Sequence, residues 1–119
     1  MHTTHHMPRT PPALQAFIDL QHRHYLAYAR TLLPADQALT AVITVLTRLA
    51  AAWNSLVTEA NPTAHAWDEL TRTVHSHTSQ PPDLRDDLAT LASLGYGPHA
   101  CARITGRDLG KIHYLTRTP

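Results

Sequence analysis

The chain has 119 residues, of which 43% are hydrophobic, and its formal net charge is +1. This length and composition allow one domain or two very small ones and exclude global disorder, and the near-neutral charge excludes a basic field over the whole surface. Cys101 is the only cysteine, which excludes an intramolecular disulfide, and no apolar run reaches the roughly 18–20 residues of a membrane span. Abundant Ala and Leu with only 4 Gly predict an all-α protein, and the lone cysteine fits the cytoplasm.

The first 78 residues predict a tail followed by three helices. Residues 1–12 lack an apolar core and are expected to be a disordered tail rather than a secretory signal. Thr10 followed by two prolines predicts a capped helix start, and Pro34 predicts the end of that first helix. A second helix is predicted over about 36–59, and a third follows the stop signal at 60–63. The three helices form the first predicted unit, residues 13–78. Its expected apolar stripes include Leu14, Phe17, Ile18, Tyr25, Tyr28, Ala29, Leu32, Trp67, Leu70 and Val74.

A polar, proline-containing segment, HSHTSQPPD at 75–83, predicts the connection to a second unit, residues 79–119. The next helix is predicted from the spacing of Leu84, Leu88, Leu91 and Leu94, and Gly95 ends it. Two short helices are then predicted at about 98–105 and 108–117. The second unit is therefore a small helical domain, like the first.

The last two predicted helices have the pattern of a helix-turn-helix. Ala102 is the small residue where the helices cross, and Gly106 is the turn residue that tolerates positive φ. The inward positions are expected to be Leu109, Ile112 and either Leu115 or Thr116. An ordinary helical hairpin with a basic surface has the same pattern. This segment alone leaves both interpretations open.

Two segments of the chain resemble bacterial sigma factors. PDLRDDLATL (82–91) is similar to the opening of their fourth region, and LGYGPHACARITGRDLGKIHYLTR (94–117) is similar to the helix-turn-helix that follows it. Earlier, HRHYLAYAR (22–30) and NPTAHAW (61–67) are similar to the second region of the extracytoplasmic-function class of the sigma-70 family. The resemblance covers nearly all of residues 14–117, in the order that the family has.

This resemblance implies a transcription regulator that binds double-stranded promoter DNA through its C-terminal helix-turn-helix. It also implies RNA polymerase core, or an anti-sigma-like protein, as a protein partner. Residues 99–119 hold four cationic side chains against Asp108 alone, which suits phosphate contacts. The DNA-binding residues that the resemblance implies are Arg103, Arg107, Lys111, His113, Tyr114 and Arg117.

An alternative hypothesis is a sigma-derived protein-interaction module that does not bind DNA. The second predicted helix contains LTAVITVLTRLAAAW, which has no acid, whereas the polymerase-binding helix of the family carries acids and aromatics. Such a helix suits an apolar contact with another protein, or a homodimer. The candidate partner-binding residues are Leu39, Val42, Leu46, Arg48 and Trp53.

The remaining polar residues predict no catalytic or metal site. The pairs His22/His24 and His75/His77 are two residues apart, so within a helix their side chains point to different sides. Asp86 and Asp87 are adjacent and do not share a helix face, which disfavours paired-carboxylate chemistry. We therefore expect no enzyme activity and no cofactor. A histidine-dependent metal-binding protein is a third and more distant hypothesis, which predicts a stoichiometric bound metal.

Overall fold

The computed structural model describes residues 10–117, which form seven helices and no strand. The all-α prediction is confirmed. The helices are α1 (Pro12–Leu32), α2 (Ala35–Ala51), α3 (Trp53–Leu56), α4 (Pro62–His75), α5 (Leu84–Ser93), α6 (Pro98–Thr105) and α7 (Leu109–Thr116). The predicted tail, residues 1–12, lies largely outside the described residues.

Proline and Asx residues define most of the helix starts. Asn61 caps α4 by accepting a 3.1 Å hydrogen bond from the Ala64 amide, and Asp83 caps α5 in the same way. The prediction that Thr10 caps α1 is wrong, because Pro11 occupies the cap position and no side chain accepts a hydrogen bond there. The single helix predicted over 36–59 is interrupted at Ala52, where ψ is 14°, so that α3 forms a separate turn.

One hydrophobic core runs through the described residues. Tyr25, Tyr28 and Trp67 form its aromatic centre, with ring centroids 6.0 Å apart for the Tyr25–Trp67 pair and 4.8 Å apart for the Tyr28–Trp67 pair. Leu88 and Ile112, from the second half of the chain, belong to the same buried cluster. The predicted division at residue 78 therefore marks a connection between two helical segments that share one core.

The three helices of the second segment pack against one another and on the first segment. α7 contacts both α5 and α6, and α6 also packs on α4. This arrangement presents one side of α7 to solvent and brings the turn that precedes it close to α4. Within residues 10–117, none of the helices combines the length and the apolar character needed to cross a membrane.

Candidate nucleic-acid interface

The turn between α6 and α7 is made by Gly106, Arg107 and Asp108. Gly106 ends α6 in the left-handed conformation, with φ 72° and ψ 11°. Asp108 begins α7, and its carboxylate accepts a 3.3 Å hydrogen bond from the Lys111 amide. The predicted turn residue and the predicted bounds of both helices agree with the structure to within a residue or so.

The inner face of α7 follows the predicted register. Ile112 is completely buried, and Leu115 packs against the edge of the core. Thr116 is exposed, and its hydroxyl donates a 2.8 Å hydrogen bond to the Ile112 carbonyl. Of the two alternatives for the last inward position, the structure therefore selects Leu115. Ala102 lies partly buried against the core where α6 meets its neighbours.

The outer face of α7 carries most of the predicted DNA-binding residues. Lys111, His113, Tyr114 and Arg117 are all exposed, and Tyr114 is 68% accessible. Arg103 is exposed on α6. The only acid between residues 98 and 117 is Asp108, whose carboxylate caps α7. The outer face of α7 is therefore a small basic surface with one exposed aromatic ring.

Arg107 differs from the other five predicted residues because it is ion-paired. Its guanidinium donates a 2.6 Å hydrogen bond to the Asp68 carboxylate on α4. The Asn61 amide donates a 2.7 Å hydrogen bond to the Gly106 carbonyl beside it. These two contacts hold the start of α7 against α4, so Arg107 is not on the open part of the surface.

The predicted partner-binding residues divide between surface and core. Val42 is only 3% exposed and belongs to the core, so its assignment to a contact surface is corrected. It lies on the side of α2 that faces the rest of the protein. Leu46 and Trp53 pack against the core, whereas Leu39 and Arg48 are exposed. Ile43, an apolar residue of the same helix that was not among the predicted partner-binding residues, is exposed one turn after Leu39, and the spacing of four residues is the signal that relates them.

A buried polar network was also missed by the sequence analysis. The Tyr28 hydroxyl donates a 2.6 Å hydrogen bond to Asp87, and the Nε2 atom of His75 lies 3.2 Å from the same hydroxyl oxygen. The Nδ1 atom of His75 lies 2.9 Å from the Gln80 carbonyl oxygen. Burial raises the pKa of Asp87, and the Tyr28 hydroxyl and His75 oppose that rise. Asp87 lies one helical turn after Leu84, on the apolar face of α5, and this register is the signal that could have indicated its burial.

The histidines do not converge on a metal site in the described part of the chain. Residues 10–117 contain no group of three or more His, Cys, Asp or Glu side chains placed to hold a metal ion. His22 and His24 each use Nδ1 in a separate hydrogen bond, to the Ile18 carbonyl and the Tyr96 hydroxyl respectively. The two rings of this pair therefore have different partners.

Comparison of the chain with protein-family models finds no match. Searches of the curated proteins and of the solved structures find no similar protein either.

Proposed function

We propose that this chain is a sigma-factor-like transcription regulator that binds double-stranded DNA through the outer face of α7. The observation that carries the proposal is the pair α6 and α7, joined at a left-handed Gly106 and anchored by the buried Ile112. With Ile112 buried, Lys111, Tyr114 and Arg117 remain on the accessible side of the second helix. This is the side that a helix-turn-helix presents to a DNA groove.

The charges of this surface favour phosphate as the group contacted. Lys111 and Arg117 are exposed, and neither forms an ion pair within residues 10–117. Each cation that neutralises a phosphate releases condensed counterions, so affinity falls as the salt concentration rises. Tyr114 adds a hydroxyl and a ring that can contact the sugar-phosphate backbone.

The position of Arg107 limits how far this surface can read bases. In helix-turn-helix proteins, the first residues of the second helix contact base edges. Here the Arg107 guanidinium is bound to Asp68, and the neighbouring Gly106 carbonyl is bound to Asn61. Of the two residues expected to reach base edges, Arg107 is held on α4, whereas Lys111 in the first turn of α7 is exposed, so we expect modest discrimination between sequences.

A salt titration of DNA binding tests the proposal. Fluorescence anisotropy would follow labelled mixed-sequence and GC-rich duplexes binding to the wild type and to Lys111→Ala/Arg117→Ala. We expect the slope of log affinity against log salt to fall by about two in the double variant, about one for each phosphate contact. A wild type that binds neither duplex at low salt would overturn the proposal.

A matched control removes the same charge from another surface. Arg30 and Arg48 are exposed on α1 and α2, away from the helix-turn-helix. The variant Arg30→Ala/Arg48→Ala has the same net charge as the double variant on α7. We expect this control to keep the wild-type slope of log affinity against log salt. An equal decrease of the slope in both double variants would show that DNA binding depends only on the total charge.

A second candidate function is protein binding through α2, as an accessory or regulatory subunit. The observation that favours it is the pair Leu39 and Ile43, which are 48% and 54% exposed one turn apart on the same side of the helix. RNA polymerase core is the partner tested first, and an anti-sigma-like protein is the second. Val57, which is also exposed, provides the control position outside α2.

The test measures binding of purified RNA polymerase core to the wild type, to Leu39→Ser/Ile43→Ser and to Val57→Ser. We expect the double variant alone to lose binding, because only it removes the apolar pair. Sedimentation of the same three proteins detects self-association through this pair. Unchanged polymerase binding and unchanged mass in the double variant would exclude polymerase binding and self-association through this pair, and the same three proteins then test an anti-sigma-like partner.

A further inference from the structure

A small cavity lies between α1 and α6, beside the loop that contains Tyr96. Its volume is about 150 Å³, and most of its wall is apolar. The apolar part is formed by the Leu20, Ala100 and Ile104 side chains and by the Tyr96 ring. A volume of about 150 Å³ is large enough to hold one benzene ring.

His24 and Tyr96 contact each other in the wall of the cavity. The two rings meet edge to face with centroids 5.0 Å apart, and the Nδ1 atom of His24 lies 2.8 Å from the Tyr96 hydroxyl. The ring contact and the hydrogen bond together hold Tyr96 against α1. The cavity therefore exists in the folded protein before a ligand enters.

The charged side chains around the cavity are cationic. Arg103 contributes to its wall, is exposed, and forms no ion pair within residues 10–117. Burial lowers the pKa of His24, and the charges of Arg23, Arg103 and His22 lower it further, with no acidic residue contributing. An anion bound at the Arg103 side of the cavity would therefore meet no acidic neighbour near His24.

Gln21 adds an unsatisfied polar group to the wall. Its side chain is 1% exposed, and Oε1 has no hydrogen-bond partner, while Nε2 donates a long 3.4 Å bond to the Arg103 carbonyl. A buried acceptor without a donor is costly in free energy, so Gln21 is imperfectly packed beside the cavity.

We propose that this cavity binds a small aromatic carboxylate, with the ring against Leu20 and Ile104 and the carboxylate on the Arg103 guanidinium. Arginine binds carboxylates through charge-assisted, two-point hydrogen bonds, and the apolar wall takes the ring. The proposal goes beyond DNA binding and does not depend on it. A ligand in this place contacts both α1 and α6, so it would stabilise the docking of the helix-turn-helix on α1.

Titration of the full chain with benzoate tests the proposal. Amide shifts of Gln21 and Ala100 would report binding at the cavity, and calorimetry would give the affinity. We expect saturable binding that Arg103→Gln weakens about tenfold, as loss of a charge-assisted contact predicts. Benzyl alcohol, which has the ring without the charge, should bind the wild type and Arg103→Gln equally. Arg30→Gln, which removes an exposed arginine that does not line the cavity, should leave benzoate binding unchanged.

Filling the cavity separates binding inside it from binding to surface charge. Ala100→Phe should abolish binding of both probes, and Leu20→Gln, at a position that is 58% exposed, is the substitute if Ala100→Phe does not fold. Leu20→Gln should weaken the binding of benzoate and of benzyl alcohol, because it removes part of the apolar wall. The proposal is overturned if acetate binds as tightly as benzoate, if Arg103→Gln binds benzoate normally, or if neither cavity variant changes the affinity.

Discussion

The Tyr28 hydroxyl on α1 donates a 2.6 Å hydrogen bond to the Asp87 carboxylate on α5, which joins positions 59 residues apart. Asp87 is only 4% exposed, although it sits among acids in the first turn of its helix. A buried carboxylate is tolerated when hydrogen bonds replace the water that it has lost. This contact, with His75 beside it, attaches the second segment of the chain to the first.

Removing the donor of this bond should destabilise the protein more than removing both partners. Tyr28→Phe leaves Asp87 buried without its main donor, and we expect a loss of about 1–3 kcal/mol in the free energy of unfolding. The double variant Tyr28→Phe/Asp87→Leu removes the buried carboxylate as well and should recover part of that loss. Urea denaturation of the wild type and the variants measures both values. A double variant less stable than Tyr28→Phe would contradict this account.

His24 should make the stability depend on pH. Burial is the main cause of its lowered pKa, so the folded state disfavours the protonated ring. The contribution of His24 to the free energy of unfolding is therefore fully present above the ordinary histidine pKa of 6.5. It is lost as the pH falls through the lowered pKa that His24 has in the folded protein. Between neutral pH and about pH 5, the wild type should lose more stability than His24→Gln.

Thermal melts at a series of pH values check this expectation for His24. The charged and titratable groups near the ring are Arg23 and His22 on α1, Arg103 on α6, and the Tyr96 hydroxyl. His77→Gln, at an exposed position that does not contribute to the His24 pKa, is the control and should follow the wild type. Parallel pH curves for the wild type and His24→Gln would refute the assignment.

Gly106 should not tolerate a side chain. Its φ is 72°, and a Cβ atom would lie 2.8 Å from the Thr63 carbonyl carbon and 2.9 Å from the Ala64 Cα atom. The left-handed conformation alone costs an L-residue about 1–2 kcal/mol, and the backbone of α4 cannot move aside as a side chain could. We expect Gly106→Ala to lower the free energy of unfolding by about 2 kcal/mol or more.

The control for Gly106 is another glycine of the same segment. Gly97 has φ −76°, and a Cβ atom there would meet no atom within 4 Å. Gly97→Ala should therefore cost less than about 1 kcal/mol, the range expected for a change at a helix cap. An equal decrease in the free energy of unfolding of Gly106→Ala and Gly97→Ala would mean that the close approach of Gly106 to α4 does not contribute to stability.

Neutralising Asp68 should strengthen DNA binding if the proposed function is right. Asp68→Asn breaks the ion pair with Arg107 and leaves that guanidinium available at the start of α7. We expect an affinity gain of about threefold to tenfold, with a steeper salt dependence, because one more cation can reach a phosphate. Anisotropy with the same duplexes measures both quantities.

Glu69→Gln is the matched control for Asp68→Asn. It makes the same change in net charge at the next residue, but it frees Arg72 on α4 instead of Arg107. If the two variants gain affinity equally, the gain comes from net charge alone. If neither binds DNA, the proposed function fails, whereas binding without any gain at Asp68→Asn rejects only the role of this ion pair.

Helix positions in the second segment could be predicted closely from local signals. Pro98, Gly106 and the Asp108 cap define the ends of two eight-residue helices, because their backbone preferences act within one turn. Ile112 faces inward as its spacing predicts. The break at Ala52 was missed because the alanine run around it contains no residue that disfavours helix.

The sequence by itself determined that the chain is helical, where most helices begin and end, and which side of α7 is apolar. Only the tertiary structure decided that Val42 is core, that Asp87 is buried on Tyr28, and that Arg107 is bound to Asp68. The reason is the range of the interactions. Helix signals are read from neighbours three or four residues apart, whereas these contacts form between residues brought together by helix packing, such as Asp68 and Arg107, 39 positions apart.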